Sequence, residues 1–318
     1  MLRALGASTA ALALGGCASL AGETTRFYRS RLSASPTLLV ATTRKPVSGA
    51  RAKPWYGSER GTLSLARVRL TPPSEGFSFG GGDWSIQGVE PVRGQVGDLI
   101  AEAQERGILV YIHGFRNTFE EAALDAAHLS DGISFNGDTM VFSWPSKAGL
   151  FDYVSDRESA MWSRDPFERV LDAVMLSPAR SRVHLVAHSM GTMITLEALR
   201  QIYARYGDAA ADKIGAVVFA SPDIDIDVFR SSIERLGPLA RKITVVTATN
   251  DRALALSRKL AGGITRVGAA EKEQLERLGL NVVDATDPWG IINHDSFLTN
   301  AEVRKVIRRA IDGGGISL

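Results

Sequence analysis

Val183–Gly191 reads VHLVAHSMG. Val183–Ala187 is a short apolar run with little polar alternation, the pattern of a strand buried on both faces. After Ser189 and Met190 the period changes. Met193, Leu196, Leu199 and Ile202 fall on one face of a helix. The stretch therefore reads as buried strand, sharp turn, helix, with a serine at the turn. The same texture recurs on both sides of it. Ile108–Ile112 (ILVYI), Thr139–Trp144 (TMVFSW), Ala216–Ala220 (AVVFA) and Ile243–Thr247 (ITVVT) are further apolar runs, and Asn281–Val283 is a weaker one. Helical patterns occupy about 118–130, 151–176, 191–206, 226–236, 250–261 and 298–311. Buried strands alternating with helices predict an α/β protein with a doubly wound, mostly parallel sheet. Thr37–Thr43 (TLLVATT) and Thr62–Leu70 read as two more strands, expected to extend the sheet as an N-terminal antiparallel edge. Pro72-Pro73 ends the second, and Gly80–Asp83 marks a turn.

Ser189 sits where a nucleophile elbow places its serine. So sharp a turn needs small residues two before and two after. Ala187 and Gly191 meet that demand, although Ala187 departs from the usual G-x-S-x-G. The elbow also sets Ser189 at a helix N-terminus, whose N–H groups favour a developing oxyanion. The competing interpretation is a loop serine that caps the helix.

Sites built on such an elbow run Ser, acid, His along the chain. His294 is the one histidine after Ser189, on a loop between the last strand and the last helix. Asp251, in Thr249-Asn250-Asp251-Arg252, is the first carboxylate after the ITVVT run and is the expected acid. Asp223, in Ser221-Pro222-Asp223, is the alternative acid. The oxyanion hole needs two backbone N–H groups. Met190 follows the nucleophile and supplies one. Phe115, in His113-Gly114-Phe115, supplies the other. His113 is expected to shape that loop, His188 to pack locally, and His128 and His184 to be structural. Asp223, Asp225 and Asp227 look like half a calcium loop but lack its glycine and terminal Glu, so they are expected to cap the next helix. No metal or cofactor is expected.

With those residues in place, the chain resembles the α/β-hydrolases. Within them it is similar to the bacterial DUF900 family of esterase/lipase-like proteins. The stretches that carry the likeness are Ala41–Pro46 (ATTRKP), Tyr111–Phe115 (YIHGF), Phe142–Ser146 (FSWPS), Ser221–Asp225 (SPDID) and Asn250–Leu254 (NDRAL). The resemblance implies an α/β-hydrolase domain over residues 36–318 and a hydrolytic Ser189–Asp251–His294 site acting on a small acyl ester. It leaves the physiological substrate open. A thioesterase, amidase or peptidase using the same triad, or a binding protein on a hydrolase scaffold, are the alternatives. The segment Pro145–Pro178 and Trp144 before it carry Phe151, Tyr153, Trp162 and Phe167, which either line an acyl pocket or form helix core.

Composition agrees with a globular enzyme. Residues are 45% hydrophobic and 23% charged, and 37 Lys+Arg against 35 Asp+Glu leave a net charge of +2. So small an excess gives no electrostatic ground for a nucleic-acid partner. The basic cluster of Arg304, Lys305, Arg308 and Arg309 lies at a helix end, where cations suit the dipole. The single cysteine, Cys17, excludes an intrachain disulfide. It follows a positive start and the short apolar run Ala4–Leu14, too short to span a bilayer. Leu14-Gly15-Gly16-Cys17 looks like a bacterial lipobox. Residues 1–16 are then a lipoprotein signal, Cys17 is lipidated and binds the membrane, and 17–35 are a tether. Ala18 rather than Asp after the cysteine favours the outer membrane of the cell envelope. The alternative is a signal cut near Ala21, giving a periplasmic or secreted protein. The sequence sets no oligomeric state.

Overall fold

The computed structural model describes residues 30–49, 53–73, 83–102, 107–147, 149, 152–177, 182–248, 254, 257, 265–285, 298 and 300–313. Among these, nine strands form one sheet in the order β3-β2-β1-β5-β4-β6-β7-β8-β9. They are β1 (Thr37–Pro46), β2 (Tyr56–Thr71), β3 (Ser85–Val92), β4 (Ile108–Ile112), β5 (Asp138–Ser143), β6 (Val183–His188), β7 (Ile214–Ala220), β8 (Ile243–Thr247) and β9 (Asn281–Asp284). The helices are α1 (Arg31–Ala34), α2 (Val96–Glu102), α3 (Phe119–Gly132), α4 (Tyr153–Leu176), α5 (Gly191–Tyr206), α6 (Ala209–Lys213), α7 (Ile226–Ile233), α8 (Lys272–Glu276) and α9 (Ala301–Ile311).

Strands β1, β5, β4, β6, β7, β8 and β9 form the parallel run. Antiparallel pairing is confined to β2, which meets β1 on one side and β3 on the other. The N-terminal edge is thus antiparallel through β2, while β1 itself lies parallel to β5, with Leu39 opposite Met140 and Thr42 opposite Ser143. This alignment carries the C-terminal end of β1 to the same edge as the ends of β4 and β6. Strand β3 was not legible in the sequence. Its residues are exposed or half-buried throughout, and it holds Gly88 and Pro91, which an edge strand tolerates.

The core forms two layers. Every residue of β4, β6, β7 and β8 is buried. Along each strand alternate side chains leave opposite faces. Leu185, Val217 and Phe142 pack with Phe167 and Leu171 of α4 and with Ile194 and Leu199 of α5. Val186, Val218 and Val141 pack with Phe119 and Ala126 of α3 and with Val303 and Ile307 of α9. Of the aromatics near α4, Trp144 and Phe167 are core, while Trp162 is 40% exposed with Arg60 over its ring. Phe151 lies outside the described residues, as do Cys17 and the proposed tether up to residue 29. Arg308 donates to the Ile133 and Ser134 carbonyls and pairs with Asp312, so this part of the basic cluster is held within the fold. Among the described residues no helix is long and apolar enough to cross a membrane.

Candidate active site

Strand β6 ends at His188, and α5 begins at Gly191. Between them Ser189 takes φ +49°, the left-handed region that a side chain resists. Three hydrogen bonds hold it there. Its N–H donates to the Ala220 carbonyl (2.9 Å), and its carbonyl accepts from Thr192 N–H (3.1 Å) and Asp223 N–H (3.2 Å). Glycine is sterically required two residues after the serine. A Cβ on Gly191 would lie 2.5 Å from the His113 carbonyl oxygen and 2.7 Å from that of Ile112. Ala187 is fully buried, and its methyl is accommodated in the core. The elbow is therefore pressed against the end of β4, and the serine at its tip is held in a strained backbone by its surroundings.

The loop after β4 lies directly against the elbow. A Cβ on Gly114 would meet Ser189 Cβ at 3.0 Å and His188 Nδ1 at 2.9 Å. Phe115 follows Gly114 on the loop packed against Ser189, and Met190 follows Ser189 in the chain. Among the described residues neither backbone N–H is spent on a hydrogen bond.

Three devices shape this loop. The first is His113, fully buried and stacked on Trp144 at 4.9 Å. Its Nε2 accepts from Trp144 N–H (3.0 Å), which leaves the proton on Nδ1 for the Gly114 carbonyl (2.8 Å), and Trp144 Nε1–H donates to the His113 carbonyl (2.8 Å). Burial and the Arg44 charge push its pKa down to about 3, so it stays neutral. The second is Arg44, 1% exposed. Its guanidinium donates to the carbonyls of Asn117 (2.6 Å), Ser146 (3.1 Å) and Gly57 (3.2 Å) and to Ser143 Oγ (2.9 Å). Burial lowers its pKa to about 10, still well above neutrality. The third is Ser146. Its Oγ accepts from Arg116 N–H (2.9 Å) and donates to Asp156 Oδ2 (2.5 Å), fixing Arg116 at φ +67°. A capping box between Thr118 and Glu121 then starts α3. The motifs ATTRKP, YIHGF and FSWPS are parts of one support under this loop.

Asp223 is also brought to the elbow, through its own N–H. Its carboxylate is occupied. Oδ1 accepts from Ser257 Oγ (2.6 Å) and lies 3.1 Å from Arg266 Nε, and Oδ2 accepts from Tyr153 Oη (3.0 Å). Asp225 caps α7, accepting from the N–H groups of Asp227 and Val228. His188 is buried beside Gly114. His184 accepts from Ala216 N–H through Nδ1, and His128 meets Asp83 at 2.8 Å. Asp251 and His294 lie outside the described residues. Strand β8, after which Asp251 comes, is separated from β6 by β7 and ends beside the turn after β7, where Ser221 N–H donates to the Val246 carbonyl (2.9 Å). Arg44, Ser146, Asp156 and Arg266 are site-supporting residues that sequence reasoning missed. For Arg44 a signal existed, since it directly follows the apolar run of β1 within the ATTRKP motif.

A family model described as an alpha/beta hydrolase of unknown function (DUF900) matches residues 92–310. No curated protein matches the chain. Among solved structures, Est1E from Butyrivibrio proteoclasticus is similar at 11% identity with a TM-score of 0.44, over 79% of this chain and 95% of that one. A predicted CIB-like hydrolase from Thermoplasma acidophilum is similar at 15% identity with a TM-score of 0.37, over 79% and 91%. A hyperthermophilic esterase from the archaeon Pyrobaculum calidifontis is similar at 13% identity with a TM-score of 0.37, over 87% and 82%.

Proposed function

The chain belongs to the DUF900 family of α/β-hydrolases, and from that premise we propose that it is a serine hydrolase cleaving small carboxylic esters through Ser189, His294 and Asp251. The observation that carries the proposal is the backbone of Ser189, a non-glycine residue at φ +49° on a strand-to-helix turn with the Gly114 loop packed against it. Strain of this kind persists where the surroundings enforce it, and it clusters at functional sites.

In the proposed reaction, His294 Nε2 takes the proton of Ser189 Oγ as Oγ bonds to the ester carbonyl carbon. The carbonyl oxygen becomes an oxyanion and accepts from the N–H groups of Phe115 and Met190. Collapse breaks the bond to the alkoxy oxygen, which leaves as the alcohol with the proton from His294. Water then repeats the sequence on the acyl-enzyme and releases the acid. Asp251 accepts from His294 Nδ1–H and stabilises the imidazolium. Asp223 is the less suitable acid, because Ser257, Arg266 and Tyr153 already engage both its oxygens.

A fluorophosphonate probe should label wild type at Ser189 and leave Ser189→Ala unlabelled. Ester turnover of that variant should fall on the order of 10⁴–10⁶-fold, the scale of triad deletions. Equal turnover by wild type and Ser189→Ala would sink the assignment, and labelling without ester turnover would point to thioesters or amides. A panel of graded acyl chains defines the substrate range. For location, the proposal is a lipid on Cys17 that holds the enzyme at the cell envelope. Incorporation of labelled fatty acid, lost in Cys17→Ser, tests it.

A further inference from the structure

We infer that Tyr153, Asp223, Ser257 and Arg266 are positioning residues, a buried polar brace that sets the Ser189 elbow and the Phe115 loop in register. The inference rests on the serine-hydrolase reading and adds residues that neither touch substrate nor belong to the triad.

Arg266 is 1% and Asp223 3% exposed, so both charges are out of water and must be satisfied locally. Arg266 Nε lies 3.1 Å from Asp223 Oδ1 and donates to Ser257 Oγ (3.2 Å), and its terminal nitrogen donates to Tyr153 Oη (3.3 Å). Tyr153 donates to Asp223 Oδ2, and Ser257 to Oδ1. Burial and the Asp223 charge push the Tyr153 phenol up, which keeps it a donor. The cluster draws on α4, on the turn after β7, and on two points beyond β8.

Two contacts connect it to the reacting parts. The Asp223 N–H donates to the Ser189 carbonyl at 3.2 Å, and Ser189 is the residue held at positive φ. The Tyr153 ring meets Phe115 edge-on, at 5.5 Å between centroids and 80° between planes. The turn bearing Asp223 is itself constrained. Ser221 takes φ +45°, and the segment with Arg266 is laced to the turn by Gly268 N–H to the Pro222 carbonyl (2.9 Å) and Val267 N–H to the Ile224 carbonyl (3.0 Å). A Cβ on Gly268 would lie 2.6 Å from the Ser221 carbonyl carbon, so the segments are in backbone contact. The cluster thus meets the nucleophile through the Asp223 backbone and the proposed oxyanion loop through the Tyr153 ring.

Tyr153→Phe in the full chain removes one hydroxyl and leaves the ring against Phe115. The measurements are kcat and KM on a soluble acyl ester, the rate of fluorophosphonate labelling, thermal midpoint, and hydrogen exchange of peptides covering 113–118 and 221–226. The expected result is a midpoint within a few degrees of wild type, kcat and labelling down about tenfold, KM within twofold, and faster exchange in both peptides. Asp223→Asn and Arg266→Lys should act in the same direction but more strongly; Tyr153→Phe keeps the test valid if either fails to fold. Labelling of wild type with unchanged kcat in Tyr153→Phe overturns the brace, whatever the exchange rates, and leaves the hydrolase reading intact. Failure of wild type to label, with faster exchange in both peptides of the variant, overturns the hydrolase reading and supports the brace.

Discussion

Gly114→Ala is the substitution whose effect follows most directly from the geometry. The added methyl would sit 3.0 Å from Ser189 Cβ and 2.9 Å from His188 Nδ1. Ordinary carbon contacts are about 3.5–4.0 Å, so something must move by roughly 0.5–1 Å. The elbow is the stiffer side, because the Ser189 backbone is held by Ala220, Thr192 and Asp223. The loop therefore yields and carries with it the next peptide, the Phe115 N–H. A shift of about 1 Å in such a group costs on the order of 10²-fold, and complete loss of one oxyanion donor costs about 10²–10³-fold. The expected result is kcat about 100-fold below wild type with KM within a few-fold, since the lost interaction belongs to the transition state. Overpacking adds about 1–3 kcal/mol of destabilisation. The assay is steady-state hydrolysis of a chromogenic acyl ester by purified protein well below its melting point, with circular dichroism confirming the fold and Ser189→Ala as the floor. A folded Gly114→Ala with kcat within threefold of wild type would refute both the loop's role and the direction in which the strain is relieved.

Ser189→Gly should be inactive yet more stable than Ser189→Ala by about 1 kcal/mol, because only glycine takes φ +49° without a Cβ penalty; equal denaturation midpoints would contradict the strain. Arg44→Lys keeps the charge but cannot span the carbonyls of Asn117, Ser146 and Gly57 at once, so it should lose about 2–4 kcal/mol in chemical denaturation and lower kcat through the Phe115 loop. His113 and His184 are held neutral by burial, with pKa values near 3 and 4 against an ordinary 6.5. Between those limits the unfolded chain binds the extra proton, so stability falls as pH falls from about 6.5, by roughly 1.4 kcal/mol per pH unit for each histidine. Unfolding free energies at pH 7, 6 and 5 that do not decline would show that neither ring is excluded from protonation.

Much of the architecture was present in short stretches of sequence. Continuous apolar runs marked β4 to β8, because a strand buried on both faces needs no polar alternation. The change of period after VHLVAHSMG marked the elbow, because a buried strand turning sharply into a helix shows in consecutive residues, whereas the carbonyls at the end of β4 that exclude a side chain at Gly191 are met only in the fold. What a window of neighbours cannot carry is the partner of a buried charge. The partners of Arg44 and Arg266 appear only once β1 lies parallel to β5 and the segment before Gly268 lies against the β7 turn. Tyr153 and Asp223 are 70 residues apart, and Tyr153 and Arg266 are 113 apart. The direction of β1 is equally invisible locally, since the same apolar run serves a parallel or an antiparallel neighbour. Sequence alone therefore determined the buried strands, the serine and its sharp turn. Tertiary structure alone decided which buried polar groups support that turn, because a charge removed from water is stable only where distant segments converge to satisfy it.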